Sequence, residues 1–272
     1  MMTRRQFHRI AGTGVVGASL RANMTAGMAA RPAKHLNIGV GTFSYHNLSI
    51  AEMIVQLKEL DIREIELSHG EFMLMKPPTI QMCQSARDQF DRAGIRCVSY
   101  YTATIKDNRD IDYAVRFAGI LGARNISGDA TGATLQSIDE RFTREGLTFG
   151  IHNHWFPQKF AYESVDDVLG ALAGVSKTVG ATLDVGQMAA CGHDPVEAVR
   201  RLADRLLVVH LKDVEAAGAE HNVLLGKGVA NIPGVVHELK RIGFGGLVAI
   251  EYEKDGNSNA DMKQLVQYAR AL

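Results

Sequence analysis

The sequence predicts an α/β protein built as a single (β/α)8 barrel, and three observations lead to this prediction. Eight short apolar runs rich in β-branched residues recur from residue 36 onward. Amphipathic stretches with helical periodicity separate these runs, which is the pattern of parallel βα units. The alternation fills roughly 240 residues without a linker or a low-complexity segment, and this is the usual size of such a barrel.

The strands and helices can be assigned in order from these patterns. The predicted strands cover residues 36–43, 63–68, 95–101, 123–127, 147–152, 180–184, 206–211 and 247–252. Ser49 and Glu52 form a capping box in front of the first helical stretch. Asp194 and Pro195 supply the N-cap and the first residue of a later helix. The glycines expected at the C-terminal ends of helices are Gly94, Gly122, Gly146 and Gly243.

A doubly wound open sheet is the alternative architecture for repeated βα units. Sheets of that kind that bind dinucleotides carry a G-x-G-x-x-G turn between the first strand and its helix. The corresponding segment here is GVGTFS at residues 39–44, which lacks the third glycine and the start of a helix. The phosphate-binding pattern G-x-x-x-x-G-K-[ST] is also absent from the sequence. The barrel is therefore the favoured fold.

Residues 1–34 differ from the rest of the chain and are predicted to be an export leader. Arg4 and Arg5 precede a Gly- and Ala-rich run at residues 11–20, which is too short to cross a bilayer. This pattern resembles a twin-arginine signal and implies a periplasmic or otherwise exported protein. The protein would be cytoplasmic if the leader does not function as a signal. The barrel domain is expected to occupy residues 35–272.

Charge and cysteine content exclude several classes of function. The 30 Lys and Arg residues balance the 30 Asp and Glu residues, and no basic run occurs after the leader, so the chain lacks the electrostatic pattern of a nucleic-acid-binding protein. A small neutral or anionic substrate fits better. The three cysteines are widely spaced and form no C-x-x-C pair, which favours buried thiols over a disulfide framework or a zinc cluster.

Polar residues collect at the carboxyl ends of the last four predicted strands, where the active sites of (β/α)8 barrels lie. They are His152 and His154 on the fifth strand, Asp184 on the sixth, His210 and Lys212 on the seventh, and Glu251 and Glu253 on the eighth. Side chains two residues apart on a strand point to the same side, so His152 and His154 share a face. Histidines together with two carboxylates are a ligand set for a divalent transition metal that leaves positions open for substrate.

Four segments in this part of the chain carry a resemblance to a known family. They are LDVGQMAACGHDP (183–195), VVHLKD (208–213), LGKGVANIP (225–233) and VAIEYE (248–253), and they follow IHNH at residues 151–154. In this order they resemble the xylose isomerase-like TIM barrel family of sugar phosphate isomerases and epimerases. The resemblance covers about residues 36–272 and is strongest over the last half.

The resemblance implies one divalent metal ion per chain. Family members typically hold the ion, often manganese, with a Glu from strand 5, an Asp from strand 6, a His from strand 7 and a Glu from strand 8. The corresponding positions here are His152, Asp184, His210 and Glu251. Manganese, cobalt and zinc are the expected ions, with magnesium as a further candidate.

Two positions depart from the family pattern. His152 stands where the family usually has Glu, and Gln187 stands where many relatives have His. In the epimerases of the family, the glutamates of strands 5 and 8 exchange protons on opposite faces of the reacting carbon. A histidine bound to a metal has committed a lone pair and cannot act as that second base. A symmetric two-carboxylate epimerase is therefore not the expectation for this chain.

Metal-assisted proton chemistry remains the expected activity, and residues can be given roles in it. Glu251 or a metal-free His154 would remove the proton, and Lys212, oriented by Asp213, would hold a substrate oxygen or phosphate. The other predicted substrate contacts are Trp155, Gln187, Glu66 and His69.

Several functions are compatible with this site. The leading hypothesis is a divalent-metal-dependent isomerase or epimerase that removes a proton next to a carbonyl on a sugar or keto-sugar. The alternatives are a metal-dependent lyase or hydrolase that cleaves 3-keto-glycosides by β-elimination, and a non-catalytic sugar-binding barrel. An abasic-site endonuclease is disfavoured because such enzymes have more metal ligands and basic loops. The expected partner is a small carbohydrate, with no nucleic acid and no membrane after signal removal, and homo-oligomerisation is left open.

Overall fold

Eight parallel strands close into one barrel, which confirms the predicted fold. The computed structural model describes residues 35–73, 76–155, 161–219, 221–254 and 259–272. The strands are β1 (Asn37–Gly41), β2 (Glu64–Leu67), β3 (Arg96–Thr104), β4 (Asn125–Asp129), β5 (Thr148–His152), β6 (Val179–Asp184), β7 (Leu206–Leu211) and β8 (Leu247–Ile250). Each strand pairs in parallel with its neighbours in the chain, and β8 closes the barrel on β1. The predicted leader, residues 1–34, lies outside the described residues.

Helices surround the barrel and begin where the capping residues predict. They are α1 (Ile50–Glu59), α2 (Ile80–Ala93), α3 (Asn108–Leu121), α4 (Gly132–Glu145), α5 (Val165–Leu172), α6 (Val185–Ala190), α7 (Pro195–Leu202), α8 (Ile232–Arg241) and α9 (Asn259–Ala271). The Ser49 capping box and the Asp194 N-cap are both present. None of the helices within the described ranges is both long and apolar enough to span a membrane.

The inside of the barrel has an apolar end and a polar end. Val208, Leu247 and Ala249 form a small apolar cluster of their own. His210 follows Val208 by two residues and Glu251 follows Ala249 by two, so these side chains point inward one layer closer to the carboxyl ends of the strands. The apolar cluster therefore closes one end of the barrel, and the charged residues occupy the other.

Asp213 organises the loop that follows β7. A two-stranded antiparallel ribbon pairs Asp213–Val214 with Asn222–Val223. The buried carboxylate of Asp213 accepts hydrogen bonds from the backbone amides of Val214, Gly226, Gly228 and Ala230 at 2.9–3.0 Å. The sequence predicts Asp213 to orient Lys212, but its carboxylate turns to these amides because adjacent residues on a strand point to opposite sides. The motif LGKGVAN thus has a structural role.

The Asp213→Asn variant should be destabilised by about 3 kcal/mol, because an amide group would replace one carboxylate oxygen that accepts two of the four hydrogen bonds. Urea unfolding followed by circular dichroism measures this free energy. Asp204→Asn, at an exposed carboxylate, is the matched control and should change stability by less than about 0.5 kcal/mol. Equal stability of the two variants would show that the four hydrogen bonds do not hold the loop.

Candidate active site

Three buried side chains form a cluster at the carboxyl ends of β5, β6 and β7. His152 ends β5, Asp184 ends β6, and His210 lies one residue before the end of β7. Each offers one ligand atom, and these atoms lie within 4.8 Å of one another. Glu251, directly after β8, is buried beside them. The structure therefore brings together all four residues that the family resemblance implies as metal ligands.

The distances within this cluster fit the coordination shell of one metal ion. His210 Nδ1 lies 3.1 Å from His152 Nε2, 3.5 Å from Glu251 Oε2 and 4.0 Å from Asp184 Oδ2. Four ligand atoms with bond lengths of about 2.1 Å to a tetrahedral ion lie about 3.4 Å apart. The distances from His210 Nδ1 thus lie near this value. The ligand atoms of His152, Asp184 and His210, which lie within 4.8 Å of one another, would move closer together around a bound ion.

Asp184 is held rigidly, and one of its oxygens is left without a hydrogen bond. Its Oδ1 caps helix α6 by accepting from the amide of Gln187 at 2.9 Å. Asn153 clamps its backbone, because the Asn153 side chain bonds both the amide and the carbonyl of Asp184. The buried Oδ2 accepts no hydrogen bond within the part of the chain that the structure describes, and its charge is balanced by Nζ of Lys212 at 3.1 Å. This oxygen keeps lone pairs toward the two histidines, and a carboxylate with two imidazoles is a ligand set that fits a divalent ion.

The pKa values of the two histidines in the cluster are shifted in opposite directions. Burial, together with the nearby His154 and His210, holds the pKa of His152 well below its usual value, so its imidazole is neutral and keeps a lone pair. Burial also opposes the charge of His210, but the carboxylates of Glu66 and Glu251 outweigh it and raise the pKa of His210 to about 9.

Glu66 supports the cluster from inside the barrel. It is fully buried on β2 and accepts hydrogen bonds from Nε2 of His210 and from the hydroxyls of Ser99 and Ser127. With Nε2 engaged, His210 presents Nδ1 to Asp184, and a carboxylate behind a histidine is the usual way to orient a metal ligand. The sequence predicts Glu66 as a substrate contact. The structure places it behind His210 and not in the wall of the cavity.

The Glu66→Gln variant should bind a divalent metal about 10- to 100-fold more weakly, because the charge that orients and polarises His210 is lost. Equilibrium dialysis against Zn²⁺ or Mn²⁺ measures this affinity. Glu71→Gln, at an exposed glutamate just after β2, is the matched control. An affinity for Glu66→Gln within about twofold of the unsubstituted protein would mean that Glu66 does not support the metal site.

Lys212 forms a buried ion network with three carboxylates. Its Nζ lies 3.1 Å from Asp184 Oδ2, 3.0 Å from Glu251 Oε2 and 2.5 Å from Glu253 Oε1. Burial opposes the charge, but these carboxylates keep the pKa of Lys212 well above its usual value. Burial raises the pKa of Glu251, with Lys212 acting against that rise. A Cβ at Gly186 would lie 2.7 Å from Cγ of Lys212, so glycine at this position makes room for the lysine.

His154 lies next to the cluster and pairs with a carboxylate that the sequence does not single out. Its Nε2 is 3.0 Å from Oδ2 of Asp129, at the end of β4, and 3.2 Å from Nδ1 of His152. The ring of Tyr101 packs edge-on against His152, with 5.3 Å between ring centroids. Asp129 comes from a different strand, so its pairing with His154 depends on the fold and has no signature along the chain.

The remaining predicted contacts separate into two groups. Gln187 accepts a hydrogen bond from the backbone amide of Trp155 at 2.7 Å, so these two residues lie together at the mouth of the barrel. His69 is buried, and its Nε2 lies 2.9 Å from the carbonyl oxygen of Leu48. That contact places His69 outside the wall of the cavity above the cluster.

A cavity of about 360 Å³ opens directly above the cluster. Its wall combines polar groups of the cluster with aromatic and apolar side chains, including Phe43, Met73 and Tyr101. A concave site with a few convergent polar groups is typical of a small-molecule pocket. The cavity therefore gives a small substrate access to the histidines and to Glu251.

Comparison with known proteins agrees with this geometry. The model of a family described as xylose isomerase-like TIM barrel matches residues 54–272. The chain belongs to this family. A relative in Rhizobium meliloti, the rhizopine catabolism protein MocC, is 28% identical over 150 residues. That match spans 49% of this chain and 45% of the relative's length, so less than half of MocC is covered.

Solved structures with the same family fold include enzymes with different chemistry. The probable 3-DHS dehydratase AsbF from Bacillus anthracis has a TM-score of 0.70 at 14% identity, covering 85% of this chain and 97% of that protein. The IolI protein with a bound zinc atom has a TM-score of 0.65 at 13% identity, covering 86% and 95%. The 3-keto-D-glucoside 4-epimerase YcjR from E. coli has a TM-score of 0.67 at 12% identity, covering 87% and 100%. Identities this low establish the fold alone.

Proposed function

We propose that this protein is a divalent-metal-dependent enzyme that removes a proton next to a carbonyl group of a sugar or keto-sugar, in the isomerase or epimerase class. The observation that carries this proposal is the buried cluster of His152, Asp184 and His210 at the base of a cavity of about 360 Å³. The zinc-containing IolI structure and the sugar epimerase among the similar folds support a metal and a carbohydrate substrate.

The ion would be held by His152, Asp184, His210 and Glu251. A bound divalent ion would polarise a carbonyl or hydroxyl oxygen and stabilise the negative charge that develops when the proton leaves. Manganese, cobalt and zinc suit this mixed nitrogen and oxygen ligand set.

The chain's own residues supply proton transfer and orientation. Glu251 removes the proton, because its side chain lines the cavity and its carboxylate lies next to His210 of the cluster. Lys212 donates to a substrate oxygen. Asp129 holds the ring of His154 in place. His154 lines the cavity from the end of β5, whereas Glu251 lines it from the end of β8, and His154 returns a proton to the substrate.

A lyase is the second candidate, and His152 is the residue that favours it. A metal-binding histidine on β5 leaves Glu251 as the only carboxylate of the ligand set that can serve as base. Elimination from a 3-keto-glycoside requires one base and one acid to protonate the departing oxygen, and His154 can be that acid. The name of one similar structure, the probable 3-DHS dehydratase AsbF, denotes an elimination of water.

We also propose that the protein works outside the cytoplasm, as its twin-arginine-like leader suggests. Fusing residues 1–34 to a reporter that is active only after export tests this proposal. Replacing both Arg4 and Arg5 by Lys should then abolish export.

Incubation in D2O distinguishes the functions. Manganese-loaded protein is mixed with free ketoses in one series and with 3-keto-glucosides in another, and NMR follows both. An isomerase or epimerase incorporates deuterium at the carbon next to the carbonyl, whereas a lyase breaks the glycosidic bond. Sugar binding with neither reaction would contradict the enzyme proposal and would indicate a sugar-binding barrel.

A further inference from the structure

The mouth of the barrel contains two adjoining compartments. The inner cavity, about 360 Å³, lies over the histidine cluster. An outer groove of about 880 Å³ runs beside it. Phe43, Gln187 and Glu253 line both compartments, so they form the boundary between the two. The inner volume is near the lower end of the range for ligand pockets, about 300–1,000 Å³, and the outer volume is near the upper end.

We infer that the substrate has two parts: a sugar unit that reacts in the inner cavity, and a second ring, joined to it through an oxygen, that lies in the outer groove. The substrate class is then a glycoside and not a free monosaccharide. This inference rests on the proposed function, because it takes the inner cavity as the place of reaction. It adds a binding role for the groove.

The lining of the groove is mixed: it includes Lys227 and Lys254, but its aromatic and aliphatic side chains suit a ring with an apolar face. Trp155 is half-buried there, and the ring of Phe43 is stacked with that of His46 at a centroid distance of 5.3 Å and an interplanar angle of 28°. Val223 and Leu224 add apolar surface. Aromatic side chains offer flat faces for sugars and for aryl groups alike, so either kind of second ring has this chemistry.

Two of the three boundary residues, Gln187 and Glu253, are polar and are held in place by hydrogen bonds. The Gln187 side chain accepts from the amide of Trp155 at 2.7 Å and keeps two amide protons with which to donate. Glu253 bonds Lys212 at 2.5 Å, and its backbone amide donates to Asn222 at 2.8 Å. Polar groups at this position suit the linking oxygen and the hydroxyls next to it.

The groove is also preformed. Its wall from Asn222 to Leu224 belongs to the ribbon and loop that Asp213 organises through four hydrogen bonds from backbone amides. Because this wall is already ordered, a ligand can bind without the entropic cost of ordering a loop.

Calorimetric titration of the zinc-loaded full chain tests the inference. The probes are methyl and phenyl glycosides of glucose, galactose, mannose and xylose, together with the disaccharides cellobiose and maltose. For at least one of the four sugars, the phenyl glycoside should bind about tenfold more tightly than the methyl glycoside, because only the former reaches the groove. The disaccharides show whether a second sugar serves as well as an aryl group.

Variants in the loop locate the effect. Leu224→Arg should reduce the phenyl-to-methyl ratio of affinities to within about twofold of unity, because it fills the groove. Val229→Arg, at an exposed valine of the same loop outside the groove, should keep the ratio. Equal affinities of methyl and phenyl glycosides for the unsubstituted protein would overturn the inference and leave the proposed function intact. Failure of every glycoside to bind a zinc-loaded chain would also overturn the inference, whereas the proposed function stands or falls on the incubation in D2O with ketoses and 3-keto-glucosides.

Discussion

Asp184→Asn should abolish the stabilisation that a divalent metal gives to the protein. At a free concentration of about 100 times the dissociation constant, a bound ion adds about 2.7 kcal/mol, which for a chain of this size raises the melting temperature by roughly 5–10 °C. Asparagine keeps an oxygen to cap helix α6 in place of Asp184 Oδ1, but it puts an uncharged amide group in the place of Oδ2, the oxygen that faces the cluster and Lys212. The fold should therefore survive while the metal-dependent shift in thermal unfolding disappears.

Asp194→Asn is a closely matched control for this prediction. Asp194 also caps a helix with its carboxylate, by accepting from the amides of Val196 and Glu197, but it is exposed and is not one of the cluster residues. This variant should show the same metal-dependent shift as the unsubstituted protein. If Asp184→Asn keeps the full shift, the ion binds elsewhere and the assignment of the cluster is wrong.

Glu251→Gln should lower turnover by about 10²- to 10⁴-fold, which is the usual contribution of a general base. The carboxylate lies on the cavity wall, 3.5 Å from Nδ1 of His210 and 3.0 Å from Nζ of Lys212. Glutamine fills nearly the same space and cannot accept a proton from carbon. Deuterium incorporation in D2O, measured together with metal content, separates loss of the base from loss of the ion.

Glu215→Gln serves as the control for Glu251→Gln, because Glu215 is an exposed glutamate in the loop after β7 and does not line the cavity. Its turnover should equal that of the unsubstituted protein. Turnover of Glu251→Gln within about threefold of normal, with the metal still bound, would remove Glu251 as the base and would point to His154.

Much of the fold could be predicted because its signals are local. Apolar runs and helix caps such as Ser49 with Glu52 recur along the chain, and the structure places strands and helices close to the expected bounds. β1 ends earlier than predicted, since Thr42–Tyr45 turns into a 3-10 helix, and β3 continues to Thr104. These differences are confined to strand ends, where the hydrophobic pattern is weakest.

The polar residues at the carboxyl ends of the strands could also be predicted, because alternation along each strand decides which side chains point into the barrel. The residues that hold these side chains in place could not be predicted. Glu66 reaches His210 across 144 positions of sequence, and Asn153 clamps Asp184 across 31. Such contacts depend on which strands become neighbours and on the exact register between them. The position of Glu66 among apolar residues on β2 indicates an inward-facing carboxylate. The sequence pattern does not show whether that carboxylate contacts a substrate or, as in the structure, supports His210.

The outer groove illustrates the same limit. Its residues come from the segments after β1, β5, β6, β7 and β8, and they carry no shared motif. Only closure of the barrel brings Phe43 beside Gln187 and Glu253. Sequence patterns predict which strands form and which of their side chains point inward, but they do not give the shape of the space between loops.

Equilibrium dialysis of the metal-free protein against Mn²⁺, Co²⁺ and Zn²⁺ tests the central claim most directly. The cluster of His152, Asp184, His210 and Glu251 predicts one tightly bound ion per chain for at least one of these metals. It also predicts that His210→Ala lowers the number of bound ions per chain to near zero under the same conditions. A chain that takes up no ion, or a His210→Ala variant that still binds one ion as tightly as the unsubstituted protein, would contradict the account.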